Sequence, residues 1–372
     1  MSLRVAVNLL WLVAGDVGGT ESYATRLLRG VAQLDPIDVD VTLYALPGFA
    51  DAHPDLAGHF ELETAPIDGA RRPVRVAAET TWLAARTRRV DVVHHVGGTI
   101  PLLAPSRRML TIHDLQYLEH PEWFSEVKRR YLATMVPMSA RRADLVTAVS
   151  EPVAAHVGEA FDVPPEQIAV VPHAVPRLPT DGPLPPELPD RYVVFPARSY
   201  PHKNHDTLLD ALLLIPEAER PHLVLTGGPG RHHDELTRRL ADPALARWVH
   251  HLGQVDEPVL GAVVAGAAGL VFPSRYEGFG APVVEAMALD VPVVSSTASP
   301  LPDLVAGVGS LLDPDDVDGW AAAMVGLVSG RRPDGVDVEA GRARARVHRP
   351  EIAAETLVAA WRRAMGPDRS AQ

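Results

Sequence analysis

The chain has 372 residues, is 47% hydrophobic with a mean hydropathy of +0.02, and carries a net charge of −12. That length exceeds what one typical core organises, so two domains are expected. The acidic balance argues against a general nucleic-acid binder, and no apolar run reaches the length of a membrane-spanning helix. With no cysteine, a disulfide framework and thiolate metal sites are excluded, which fits a reducing cytosol.

The apolar N-terminus reads as a buried first strand over residues 3–9 rather than as a signal peptide. A Gly-rich loop follows at residues 15–20, then a helix over residues 21–34 with Tyr23, Leu27, Leu28 and Val31 on one face. In a doubly wound sheet, a glycine-rich turn between the first strand and first helix is where phosphate is contacted. Taken alone, Gly18 and Gly19 read as a tight turn. A strand is expected over residues 39–46, loop over 47–73, a helix over 74–89 and a strand over 90–95. The strand at 109–113 ends at His113-Asp114. Ligands of open α/β sheets sit at the carboxyl ends of strands, which places His113 where chemistry happens; the plainer reading is a histidine that caps a strand. Strands at 145–150 and 167–175 complete the half.

Residues 176–189 hold six prolines and two acids, the composition of a stiff linker. A second series of strands and helices then begins, with a strand over 191–197 and a loop carrying Arg198 and Lys203. The chain has only two lysines, Lys128 and Lys203. Strands at 222–226 and 249–252 run into Gly227-Gly228-Pro229-Gly230 and Gly253-Gln254-Val255. At 270–272 a short apolar strand breaks at Pro273 into Glu277-Gly278-Phe279-Gly280. Pro282 then takes a first helical position, a helix runs over 283–289, and a strand over 291–294. Glu277 and Glu285 stand eight positions apart. The amides of Phe279, Gly280 and Ala281 precede the helix start, where N–H groups and the dipole attract phosphate. Capping would equally explain two glutamates near a helix start. A solvated loop pair would explain Arg198 and Lys203. The paired histidines at 232–233 and 250–251 lack the carboxylate spacing of a metal site, and Asp313, Asp315 and Asp316 read as a turn and helix cap. A last amphipathic helix spans 351–365.

Glu-x7-Glu within SRYEGFGAPVVEAMA closely resembles the signature of retaining GT-B glycosyltransferases of glycosyltransferase family 4. The text HDLQYLEHPEWF, followed by KRRYL, is similar to bacterial mannosyltransferases of that family. The resemblance covers nearly the whole chain. It implies an α/β GT-B fold of two Rossmann-like, doubly wound domains facing a central cleft: an acceptor-side domain at 1–175, the linker at 176–190, a donor domain at 191–348, and a helix at 349–372 that crosses back. It implies a nucleotide-diphosphate-sugar donor with GDP-mannose favoured, UDP-, dTDP- and ADP-sugars being the alternatives. It also implies that Glu277 holds sugar hydroxyls, Glu285 the ribose, and Arg198 and Lys203 the diphosphate. Gly18 and Gly19 would border that diphosphate, the Gly227 and Gly253 loops would flank the base, and His113 would contact the sugar. Fixed cations and a helix start would replace a metal, so no cofactor is expected.

The acceptor, whether a glycan, a lipid-linked or a small molecule, is not legible. Arginine clusters at 71–75, 86–89 and 128–130 read as solvated faces of a cytoplasmic protein, with weak peripheral contact at the inner membrane face as the alternative. A sugar-nucleotide epimerase of the same fold and a silent nucleotide-sugar sensor are disfavoured by the intact glutamate and cation pairs. The first strand is followed by no GxGxxG with a ribose-binding acid, which disfavours a dehydrogenase. The chain departs from the family where His173-Ala174 replaces Asn-Gly, Asp290 a helix-ending glycine, and Asp303 a glutamate.

Overall fold

The computed structural model describes residues 2–15, 18–35 and 38–366; within the first Gly-rich loop, Asp16 and Val17 lie outside the described residues. Contacts divide the chain into two units, residues 1–174 with 350–372, and residues 175–349.

The first unit is built on seven strands: β1 (Leu3–Leu9), β2 (Val39–Ala45), β3 (Glu61–Thr64), β4 (Val92–His95), β5 (Arg107–Ile112), β6 (Leu145–Ala148) and β7 (Ile168–Val170). They pair in the order β3-β2-β1-β4-β5-β6-β7, all parallel, with Leu3 opposite Val39 and Val5 opposite Val92. The chain winds outward from β1 to β3 and then returns to the other side of β1, so the order reverses between β1 and β4. An inner parallel strand is covered on both faces, which is why Val5, Ala6, Val7 and Leu9 are all buried. Ala6, Leu10, Tyr44, Ala78, Leu83 and Val93 form one core cluster beneath the sheet.

Residues 47–73, expected as loop, contain two short helices and β3. β3 is an edge strand whose four residues are exposed or half-buried, so it lacks the apolar run that marks its inner neighbours. The first helix begins at Gly19, two residues before the expected start, with Gly18 at its cap in a positive-φ conformation (φ 64°). The predicted helix at 74–89 is real but changes character, passing through a π-helical turn at Glu79–Leu83.

The helix Pro350–Ala364 belongs to this unit and buries Ala353, Ala354, Leu357, Val358, Trp361 and Ala364, spaced three and four apart. It packs on the helix Gly19–Gln33 so closely that a Cβ at Gly30 would stand 2.5 Å from the carbonyl of Pro350. Trp361 is fully buried and its indole N–H donates to His94 Nδ1 at 3.2 Å; His94 Nε2 lies 2.7 Å from Thr111 Oγ1. A ring that accepts at Nδ1 and is neutral carries its proton on Nε2, so the hydrogen bonds run from Trp361 through His94 to Thr111.

The second unit has six parallel strands: β8 (Tyr192–Pro196), β9 (His222–Thr226), β10 (Val249–Gly253), β11 (Gly269–Phe272), β12 (Val293–Ser296) and β13 (Ser310–Leu312). Their order is β10-β9-β8-β11-β12-β13, so the reversal falls between β8 and β11. The helix His205–Leu214 packs beside Val317–Val328, which Asp316 caps through a bond from Gly319 N to its Oδ1. The proline-rich segment lies against this unit: Leu178 is buried, and a Cβ at Gly261 would strike the carbonyl of Pro179. The helix after Phe279 runs over Ala281–Ala288, so Pro282 is its second residue rather than its first, and β12 starts two residues later than predicted. Asp290 holds the left-handed turn that ends this segment (φ 63°), and its carboxylate pairs with Arg342 at 3.2 Å.

Candidate functional site

Eight of the sequence-predicted residues belong to the second unit: Arg198, Lys203, Gly227, Glu277, Phe279, Gly280, Ala281 and Glu285. β8 ends at Pro196 and β11 at Phe272, on either side of the strand-order reversal, so the loops that leave them adjoin at the position where ligands of open α/β sheets bind. Lys203 closes a 3-10 turn (Pro201–Lys203) in the first loop, and its Nζ lies 2.5 Å from Glu277 Oε1 in the second. Both side chains are mostly buried, 16% and 10% exposed, and the Lys203 ammonium also stands 5.4 Å from the Phe272 ring centroid.

Asn204 explains why the lysine sits there. It is buried in the left-handed conformation (φ 60°), its amide donates to the carbonyls of Pro273 (3.1 Å) and Pro314 (2.7 Å), and its Oδ1 accepts from Thr207 Oγ1 (2.8 Å). One side chain thus fastens the Lys203 turn to the starts of two other loops. The adjoining backbone bond from Arg275 N to His202 O (2.7 Å) ties the same two loops again.

Arg198 leaves β8 on the other side, where its Nη2 donates to the Pro229 carbonyl at 3.3 Å. The loops after β8, β9 and β10 are stitched by Ala197 N to Thr226 O (2.8 Å) and Gly227 N to Gly253 O (2.7 Å). Gly227 adopts φ 127°, and a Cβ there would collide with the Ala197 backbone, so only glycine permits this approach. Gly280 (φ 102°) caps the helix Ala281–Ala288, whose first turn has no side-chain cap, and a Cβ on it would meet Leu301 at 2.5 Å. Phe279 and Glu285 are both buried beside this helix start.

His113, Gly18 and Gly19 belong to the first unit. His113 follows β5 directly, half-buried, with Nε2 2.8 Å from the Val96 carbonyl and its ring edge-on to Tyr23 at 4.9 Å. A carbonyl only accepts, so Nε2 carries the proton. Burial holds the imidazole below its ordinary pKa, which leaves Nδ1 as a lone-pair acceptor. His173, expected as a turn variation only, also meets the Tyr23 ring edge-on, at 4.9 Å between centroids. His113 also lines a cavity of about 390 Å³ whose walls include Trp11, Thr20, Arg72, Arg75, Glu79 and Lys128. The sequence reading missed Glu79 and Asn8: Asn8 Nδ2 donates to Glu79 Oε1 at 2.9 Å, and Asn8 Oδ1 accepts from Leu10 N. A lone asparagine within the buried run Val5–Leu9 of an inner strand was the available signal.

The histidines of the second unit have local neighbours. His222 Nδ1 lies 3.0 Å from His250 Nε2, and His232 Nε2 lies 2.7 Å from Asp206 Oδ2. Among the described residues no group of three or more His, Cys, Asp or Glu is arranged to hold a metal ion. No described helix is long and apolar enough to cross a membrane.

Two family descriptions match in tandem: "Glycosyltransferase Family 4" over residues 17–177 and "Glycosyl transferases group 1" over residues 190–330. The chain is 31% identical over 232 residues to the O-antigen chain mannosyltransferase B of Escherichia coli, covering 58% of this chain and 60% of that protein. It is 27% identical to the O-antigen chain mannosyltransferase RfbU of Salmonella typhimurium (68% and 70% covered) and 29% identical to the MMP alpha-(1->4)-mannosyltransferase of Mycolicibacterium hassiacum (67% and 64%). The chain therefore spans about two thirds of the length of these relatives. In fold it is similar to HepE of Anabaena, solved with UDP and glucose (TM-score 0.72, 20% identity, 95% and 98% covered). It is equally similar to sucrose-phosphate synthase of Thermosynechococcus elongatus (TM-score 0.73, 20% identity, 97% and 98% covered).

Proposed function

Because the chain belongs to glycosyltransferase family 4 and has the GT-B fold, we propose that it is a retaining glycosyltransferase that moves a hexosyl group, mannose by preference, from a nucleotide-diphosphate sugar to an acceptor hydroxyl. The observation that carries this reading is the Lys203–Glu277 pair. A carboxylate suits sugar hydroxyls and an ammonium suits a diphosphate, and in a sugar nucleotide these two groups adjoin at the anomeric carbon. Holding the two side chains in contact presents both to that junction.

In the proposed step the bond from the anomeric carbon to the diphosphate oxygen breaks and the acceptor oxygen bonds to the same face of that carbon. The acceptor proton passes to the departing phosphate. Negative charge gathers on the leaving group, where Lys203, Arg198 and the amides at the start of the helix Ala281–Ala288 stabilise it. These fixed charges supply what a divalent cation would supply, so transfer is proposed to be metal-independent. Glu285 holds the ribose, the Gly227 loop flanks the base, and His113 is assigned to the donor sugar by family resemblance.

Mannose is favoured because the three mannosyltransferase relatives align over 58–68% of the chain. Thermal stabilisation by GDP, UDP, dTDP and ADP, followed by transfer assays with the matching sugars, tests the donor. Selective stabilisation by GDP supports it. Selective stabilisation by another nucleotide overturns the mannosyl donor and keeps the mechanism, and stabilisation by none overturns the transferase reading.

A further inference from the structure

The loop that leaves β9 reads Gly227-Gly228-Pro229-Gly230, and one residue of the neighbouring loop after β8, Ser199, is bonded to it repeatedly. Ser199 is buried, 3% exposed. Its N–H donates to the Gly228 carbonyl (3.3 Å), and its own carbonyl accepts from His232 N (2.9 Å). Its hydroxyl oxygen accepts from Gly230 N at 3.0 Å and lies 3.3 Å from His233 Nδ1. The approach is close: a Cβ at Gly230 would stand 2.4 Å from the Ser199 carbonyl oxygen.

The Gly230 N–H and the Pro229 C=O belong to one peptide unit. That unit is planar, so fixing the direction of its N–H fixes the direction of its carbonyl. The same carbonyl accepts from Arg198 Nη2 at 3.3 Å. One peptide is therefore held at both ends, by the guanidinium of Arg198 and by the hydroxyl of the next residue. Pro229 and Gly230 lie between β9 and the helix His233–Leu240, outside any regular hydrogen-bond ladder. A peptide between proline and glycine turns over readily, because glycine takes either sign of φ. Without the hydroxyl, the bonds at Gly228 and His232 persist on either side, and the peptide between them is free to turn its carbonyl away from Arg198.

That carbonyl matters to the arginine. Arg198 Nε is buried with no hydrogen-bond partner among the described residues, and the Tyr200 ring centroid lies 5.9 Å from the guanidinium carbon. The bond to Pro229 is what fixes the direction of the guanidinium fork. The Gly227 end of the loop is anchored separately, through Gly227 N to Gly253 O at 2.7 Å.

Resting on the transferase reading above, in which Arg198 binds the donor diphosphate, we infer that Ser199 is a positioning residue for that arginine. Its hydroxyl holds the Pro229–Gly230 peptide in the orientation that aims the guanidinium, and it touches no ligand itself. Its loss weakens the hold on the diphosphate and leaves the nucleoside end as it was.

The test is calorimetric binding of GDP, UDP, dTDP and ADP, each against its monophosphate, to the full chain and to Ser199→Ala, Arg198→Gln and the double variant. The wild-type chain should bind at least one diphosphate about tenfold or more tightly than its monophosphate. Ser199→Ala should cut that preference about fivefold, the worth of one hydrogen bond, with monophosphate affinity unchanged. Arg198→Gln should remove most of the preference, and adding Ser199→Ala to it should cost nothing further. A residue with a structural role alone weakens both nucleotides alike, or costs the same in either background. Either of those results, or a full diphosphate preference in Ser199→Ala, overturns the inference and leaves the transferase reading standing. A wild-type chain with no diphosphate preference, or a preference that survives Arg198→Gln, overturns that reading's assignment of Arg198 and the inference with it.

Discussion

Lys203 and Glu277, 74 residues apart in the chain, meet at 2.5 Å because β8 and β11 are neighbours at the reversal of strand order. Neither loop alone places a charge; the sheet does, by bringing two strand ends side by side. Removing the ammonium leaves a mostly buried carboxylate without its countercharge. Lys203→Ala should therefore lower transfer by about 10²–10³-fold and also destabilise the unit by about 3 kcal/mol. Adding Glu277→Gln should recover most of the stability and none of the activity. Near-normal transfer by Lys203→Ala would sink the site assignment.

Asn204 should prove as sensitive as the lysine beside it, without touching a ligand. Asn204→Ala removes three hydrogen bonds and leaves a non-glycine residue in the left-handed region, for a cost of about 3–4 kcal/mol. Asn204→Gly loses the same bonds but relieves the backbone, and should be about 1 kcal/mol less damaging. Denaturant unfolding of the two variants checks the order; equal stability would show that the backbone conformation carries no cost.

Two glycines with positive φ should respond differently. Gly227→Ala sets a Cβ against the Ala197 backbone, whereas Gly253→Ala at φ 65° meets nothing within 4 Å. The second should cost about 1 kcal/mol and the first clearly more, with loss of nucleotide stabilisation. Melting temperatures of the pair, with and without nucleotide, decide it.

Stability should fall on mild acidification. Burial pushes His94, His95 and His205 down to about 3, from an ordinary value of 6.5 in the unfolded chain. Between those values the unfolded chain binds protons at these rings and the folded chain does not, so unfolding free energy rises with pH across that window. Each ring contributes about 1.4 kcal/mol per pH unit, lost as pH drops below about 6.5. Urea unfolding at pH 7.0 and 5.5 measures the slope. In His205→Asn it should be shallower by one histidine's share, and an unchanged slope would refute the neutral buried ring.

Much of this was legible before any coordinates. Inner parallel strands carry apolar runs, so β1, β5, β8 and β11 stood out, and the residues that follow those runs at their carboxyl ends, from His113 to Glu277, marked where ligands gather. Edge strand β3 was hidden because its half-exposed residues follow no apolar pattern. Gly19, read as loop, begins a helix, since one hydrogen bond more or less moves a boundary without changing the pattern.

What the sequence by itself determined was the repeated strand–loop–helix grammar and the residue types at the strand ends, because burial on both faces and turn chemistry act within a few residues of chain. What only the tertiary structure decided was which of those residues meet. The Lys203–Glu277 pair, the three-way tie at Asn204, the Trp361–His94–Thr111 chain and the gathering of Arg72, Arg75 and Lys128 around one cavity all depend on strand order and helix packing. Those join positions tens to hundreds of residues apart and leave no local trace in the pattern.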